Sequence, residues 1–202
     1  MASPRVKQAL MAAAGAAGDA LSVENVFSTY VYKGVEVSGT DIVNNIDLST
    51  EGGMVWIKGR SAALDHIIND TERGANNFIV PNSTTDNNPA SGYLTAFNTN
   101  GFELGTQSRV NNSSNTYVSW TFRKAPKFFD VVTYSGNGST QTINHNLGTA
   151  PGFIMIKRTN TSGHNWACWH RGTDSNFAAG GITALVLIQV VVDILVTITG
   201  VI

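Results

Sequence analysis

The sequence predicts an all-β protein, a tandem of antiparallel β-sandwiches whose second copy is incomplete. Three observations carry that expectation. Gly, Ser, Thr and Asn are abundant while charged residues make up only 13% of the chain, a mixture that suits short strands and polar turns and ranks low in helix propensity. Short β-branched or aromatic runs alternate with turn residues along the body. One pattern of such runs occurs twice, in the same order.

Residues 1–26 form an N-terminal arm. Arg5 and Lys7 precede the alanine-rich stretch Ala9–Ala17, the order of a secretory signal but with a weak apolar region. A short helix or flexible arm is the preferred reading.

The first copy, residues 27–127, opens with Phe27–Gly34, which lines up with Phe129–Gly136 in the second. Ile42 and Asn45 then meet Ile143 and Asn146. Leu48 and Gly53–Lys58 meet Leu147 and Gly152–Lys157, and His66, Arg73 and Gly74 meet His164, Arg171 and Gly172. The offset falls from 102 (129 − 27) to 98 (164 − 66) in small steps, as where turns lose single residues. Further strands are expected at Gly101–Gly105 and Thr116–Phe122, with Asn111–Asn115 as a loop. In the latter strand Tyr117, Ser119 and Thr121 share one face and Val118, Trp120 and Phe122 the other. The apolar face, with Trp120, is the expected core.

The second copy spans residues 128–180. After Gly172 it stops resembling the first, and an apolar segment follows at 181–202. Either the copy is truncated and ends in a strand that needs a partner, or the frame or sequence assignment changes near residue 173. The segment is long enough to cross a bilayer, but Asp193 sits near its middle and its Val, Ile and Thr favour strands. A membrane span is therefore the lesser reading. The favoured one is a strand supplied to a neighbouring subunit.

Tyr117–Gly138, His145–Arg158 and Gly53–Lys58 together resemble a repeat family of tail-fibre-like structural proteins from marine phages, including those of cyanobacteria and abundant ocean bacteria. The resemblance covers about residues 27–172. It implies lectin-like sandwiches (a concanavalin A or laminin-G type jelly roll) on the virion, and it brings no catalytic motif.

A formal net charge of −1 offers no field for a polyanion, so nucleic acid is set aside as a partner. Cys168 is the single cysteine, which excludes an internal disulfide and a cysteine-built zinc site. Four scattered histidines give no metal-binding spacing, and no cofactor is expected. Asp70 and Glu72 could form a glycosidase pair, yet the second copy carries Cys168 and His170 at the matching offset, so a solvated acidic edge is the preferred reading and no enzymatic activity is expected. The recurring His66/His164 and Arg73/Arg171 are read as loop-holding polar groups. Trp56 matches Met155 and is read as core. Trp166, Trp169 and His170 could present an aromatic surface to a sugar ring, and Trp166, His170 and Arg171 are the candidate ligand-binding residues.

The resulting expectation is a virion structural protein of tail-fibre type, with spacer or adhesive repeats. Its partners would be other virion subunits, further copies of itself and a host surface glycan. A polysaccharide-degrading tailspike and a secreted bacterial adhesin, which would be extracellular, are the alternatives.

Overall fold

β-Branched and aromatic runs cut by Gly, Asn and Pro produce short strands, and short strands must pair to satisfy their backbone. In a computed structural model, which describes residues 21–173 and 193–198, the chain is an all-β sandwich of antiparallel sheets, with two one-turn α-helices among the described residues. The first copy comprises α1 (Val23–Val26), β1 (Phe27–Lys33), β2 (Thr40–Val43), β3 (Gly53–Gly59), β4 (Ile67–Asp70), β5 (Asn77–Ile79), β6 (Asn88–Pro89), β7 (Leu94–Asn98), β8 (Gly101–Leu104), α2 (Ser108–Asn111) and β9 (Thr116–Arg123). The second comprises β10 (Phe129–Tyr134), β11 (Phe153–Arg158), β12 (Ala167–His170) and β13 (Asp193–Ile198). Of the expected N-terminal arm, residues 21–26 are described and include α1, whereas residues 1–20 and most of residues 174–202 lie outside the described residues.

The first copy is a sandwich of two sheets, ordered β1-β9-β3-β4-β5-β6 and β2-β8-β7. Between them lies the main core, which includes Ile42, Leu48, Val55, Ile57, Ile67, Phe102, Leu104 and Tyr117, all buried. Asn111 is also fully buried. Its amide donates to the carbonyls of Gly105 and Val37, and its Oδ1 accepts from the Val35 N–H. An unpaired buried amide would be costly, so these bonds let a polar side chain serve as an internal tie.

The repeat holds at the level of strand pairing. In the first copy β9 lies between β1 and β3, antiparallel to both, and Met54 and Phe27 flank Phe122. In the third sheet, ordered β10-β13-β11-β12, β13 lies between β10 and β11 in the same way, and Phe129 and Phe153 flank Ile198. The row Tyr32–Tyr117–Gly59 is matched by Tyr134–Asp193–Arg158. Gly53 and Gly152, which occupy matching places, are both crowded, one by backbone and the other by a side chain. A Cβ on Gly53 would press on the Phe122 carbonyl oxygen, and one on Gly152 would meet the Arg171 guanidinium.

Two expectations change. On β9 the fully buried face is Tyr117, Ser119 and Thr121, whereas Trp120 is half-buried on the opposite face. Hydrogen bonding makes the polar face buriable. The Tyr117 hydroxyl donates to the Ser108 carbonyl and accepts from the Asn112 N–H, and Thr121 Oγ1 accepts from the Asn44 amide. Val118, Trp120 and Phe122 are not left to solvent either, because Phe122 packs against the second copy.

The second change concerns the apolar C-terminal run. Residues 193–198 form the strand β13, paired on both edges within its own chain. The gap between β10 and β11 is the place that β9 fills in the first copy, so the strand has an intramolecular berth. No helix among the described residues is long and apolar enough to cross a membrane.

The two copies meet back to back. Met54, Ile68, Ile79 and the partly buried Trp56 and Phe122 from the first copy pack on Phe129, Val131, Met155, Phe153 and Trp166 from the second.

Candidate functional site

Residues in matching places of the two copies face each other at this seam. Trp56 pairs with Ile68 on the β3–β4 ladder, and Met155 pairs with Cys168 on β11–β12. His66 immediately precedes β4 as Trp166 immediately precedes β12. The strands therefore equate Ile67 with Ala167 (an offset of 100, 167 − 67), so His66 matches Trp166 rather than His164, and Asp70 matches His170.

Trp56 Nε1–H donates to His66 Nδ1 at 2.9 Å, with the rings edge to face at 5.8 Å. Because Nδ1 accepts, the imidazole carries its proton on Nε2. Burial, and then the charge of Lys58, lower the His66 pKa, against an opposing pull from Asp65. The neutral form is favoured. Asn82 braces this wall: its Oδ1 accepts from the His66 N–H at 3.0 Å and its amide donates to Asp65 Oδ1 at 2.9 Å.

The second copy supplies the opposite wall. Its β11–β12 hairpin docks on the loop after β5 through Gly163 N–H to the Thr84 carbonyl (2.9 Å) and Asn87 N–H to the Thr159 carbonyl (3.2 Å). Lys157 is fully buried and its ammonium donates to the carbonyls of His164 (2.9 Å) and Thr84 (3.4 Å), across the seam. The equivalent Lys58 donates to the neighbouring Gly59 carbonyl and is half-buried. One repeat position thus serves as a clamp in one copy alone.

Between the walls is an apolar slot of about 260 Å³ lined by Trp56, His66, Pro81, Asn82, Met155, Trp166 and Cys168. It adjoins a polar shelf of about 500 Å³ where Ser83, Thr84 and Asn165 join Pro81, Asn82 and Trp166. An aromatic slot beside amides and hydroxyls suits a ligand with one apolar face and a hydroxylated rim, as a pyranose has. No carboxylate lines either part.

The candidate carboxylates lie elsewhere and are occupied. Asp70 is buried, not solvated, and pairs with Arg73 through Nη2 at 2.5 Å and Nε at 2.8 Å. Arg73 also donates to Asn87 Oδ1 at 2.8 Å, so it holds a loop as expected. Burial lowers the Arg73 pKa, and the Asp70 charge works against that. Glu72 accepts from Lys124 at 2.7 Å, and Lys124 reaches Asp130 at 3.2 Å. Asp70 and Glu72 therefore belong to separate ion pairs.

Of the expected binding residues, Trp166 lines the cleft. His170 stands at the far end of β12, its ring 6.3 Å from Phe153 and its Nδ1 accepting from the Gly172 N–H. Arg171 begins a 3-10 turn beside Gly152. Trp169 packs on the other side of the sheet with Ile154 and Ile156, so the expected aromatic surface is divided. Sequence reasoning missed His66, Asn82 and Met155 as cleft residues. The repeat alignment held the only signal, since it equated Trp56 with Met155.

A family model described as a domain of unknown function, DUF7483, matches residues 23–183, a span that takes in the first copy and β10 to β12 of the second. No curated protein and no solved structure matches the chain.

Proposed function

We propose that this chain, which belongs to the DUF7483 family, is a non-enzymatic structural component of a phage particle, of tail-fibre type, whose two lectin-like modules act as spacer and glycan-binding adhesive. The observation that carries this reading is the seam. A second module rebuilds the strand order β1-β9-β3-β4 of the first, and the pair is joined through equivalent apolar faces that leave a cleft open between them. Such a joint serves mechanical linkage and surface recognition. The partners are other virion subunits, further copies of the chain and a host surface glycan.

The resemblance of residues 27–172 to marine phage tail-fibre repeats supports the virion assignment. The degrading tailspike reading is disfavoured because Asp70 is engaged by Arg73 and Glu72 by Lys124.

Two measurements test the proposal. Purified chain passed over immobilised host-surface polysaccharide should be retained without releasing reducing ends, and product release would overturn the non-enzymatic role. Antibody raised against the chain should decorate phage particles in electron micrographs. Labelling confined to the bacterial surface would make it a secreted adhesin instead.

A further inference from the structure

The large apolar side chains that stand exposed among the described residues all lie between Leu21 and Val43, with Val31 54% and Tyr30 37% exposed on β1. β1 is also the outer strand of the six-stranded sheet. Gly34 N–H donates to the Asn115 carbonyl, so even-numbered residues of β1 bond to β9, while Thr29, Val31 and Lys33 turn their N–H and C=O groups outward. Among the described residues these outward groups have no partner.

The matching edge in the second copy is closed in part. Phe129 exchanges both backbone bonds with Ala125, and Asp130 Oδ1 accepts the N–H of Val131. At β1 only the first of these closures is repeated, from Phe27 N–H to the Val23 carbonyl. The opposite edge of the same sheet is the two-residue β6, which includes Pro89 and cannot template a long partner.

We infer that β1 pairs antiparallel with β1 of a second copy of this chain across a two-fold axis, joining their six-stranded sheets. An antiparallel self-pair brings outward residues opposite outward residues. Centring on Tyr30 uses the whole strand: Phe27 faces Lys33, Thr29 faces Val31, and Tyr30 faces its own copy in a close pair, where aromatic side chains interact favourably. Lys33 never meets Lys33, so no like charges oppose. Because β1 pairs with its own copy, the contact is isologous and closes as a dimer rather than a filament. This deepens the self-association in the reading above and rests on it only for the identity of the partner.

The full chain should sediment as a dimer. Val31→Pro removes an outward N–H and no bond to β9, so it should raise the dimer dissociation constant roughly tenfold or more, two hydrogen bonds being lost per dimer, with the strand content unchanged. In a Cys168→Ser background, Tyr30→Cys should form an interchain disulfide on mild oxidation. A chain that stays monomeric at its highest soluble concentration, an unweakened Val31→Pro dimer, or a Tyr30→Cys chain that fails to cross-link would overturn the pairing. Polysaccharide retention and particle labelling by the same variants report separately on the proposed function.

Discussion

The indole of Trp56 and the imidazole of His66 are joined by a 2.9 Å hydrogen bond in which the histidine can only be the acceptor. Protonation at Nδ1 would abolish it, and the cleft wall would lose its tie. The folded-state pKa of His66 lies below its ordinary value, chiefly through burial. Its contribution to stability is therefore fully present above a pH of about 6.5 and is lost as pH falls through the lower folded-state value. His66→Gln keeps an acceptor and removes the titration. The gap in urea midpoint between parent and variant should shift against the parent on acidification, and a pH-independent gap would contradict this.

Arg73 and Asp70 form a buried pair, with side chains 7% and 1% exposed. Arg73→Leu should cost about 3–5 kcal/mol, because the Asp70 carboxylate is left uncompensated. Arg73→Lys should recover only part of that, since one ammonium cannot serve both Asp70 and Asn87 in the geometry of the guanidinium fork. Denaturant midpoints of the three chains check the order.

Tyr117→Ala should destabilise by about 3–5 kcal/mol, as for other large buried aromatics, because its ring is fully buried and its hydroxyl holds the α2 turn. Trp120→Ala should cost less, since Trp120 is half-buried and meets Trp56 edge to face at 6.1 Å. If chemical denaturation gives the reverse order, the burial of β9 has been assigned to the wrong face.

Deleting residues 193–202 removes the strand that joins β10 to β11. Amides of β10 and β11 should lose hydrogen-exchange protection while those of β3 and β9 keep it. Retained protection in β10 and β11 would mean that β13 is not their partner. Loss throughout the chain would mean that the first copy does not stand alone.

The fold was legible because period and punctuation agree. The runs at Phe27, Gly53, Thr116, Phe129 and Phe153 all became strands within a residue or two of their expected bounds. The inward face of β9 was not legible. The strand alternates, but both of its faces are covered, so the more apolar face is not the more buried one, and the hydroxyls of Ser119 and Thr121 hid their burial. The cleft was only partly legible, since Trp56 and Met155 come together through packing between copies, which periodicity does not encode. The offset of 98 at His66 also misled: the hairpin after β11 is longer by one residue than that after β3, so strand pairing places Trp166, not His164, opposite the histidine.

The position of β13 in its sheet has a consequence for synthesis. The six-stranded and the four-stranded sheet each hold an inner strand made after both of its neighbours: β9 follows β1 and β3, and β13 follows β10 and β11. Neither sheet can close while its middle strand is still inside the ribosome. The first copy gains β9 by residue 123, before β10 begins, so it can complete itself as the chain emerges. The second must wait, with β10 and β11 separated, for residues 193–198. A nascent chain arrested between those points would present a finished first sandwich and a second one lacking its central strand.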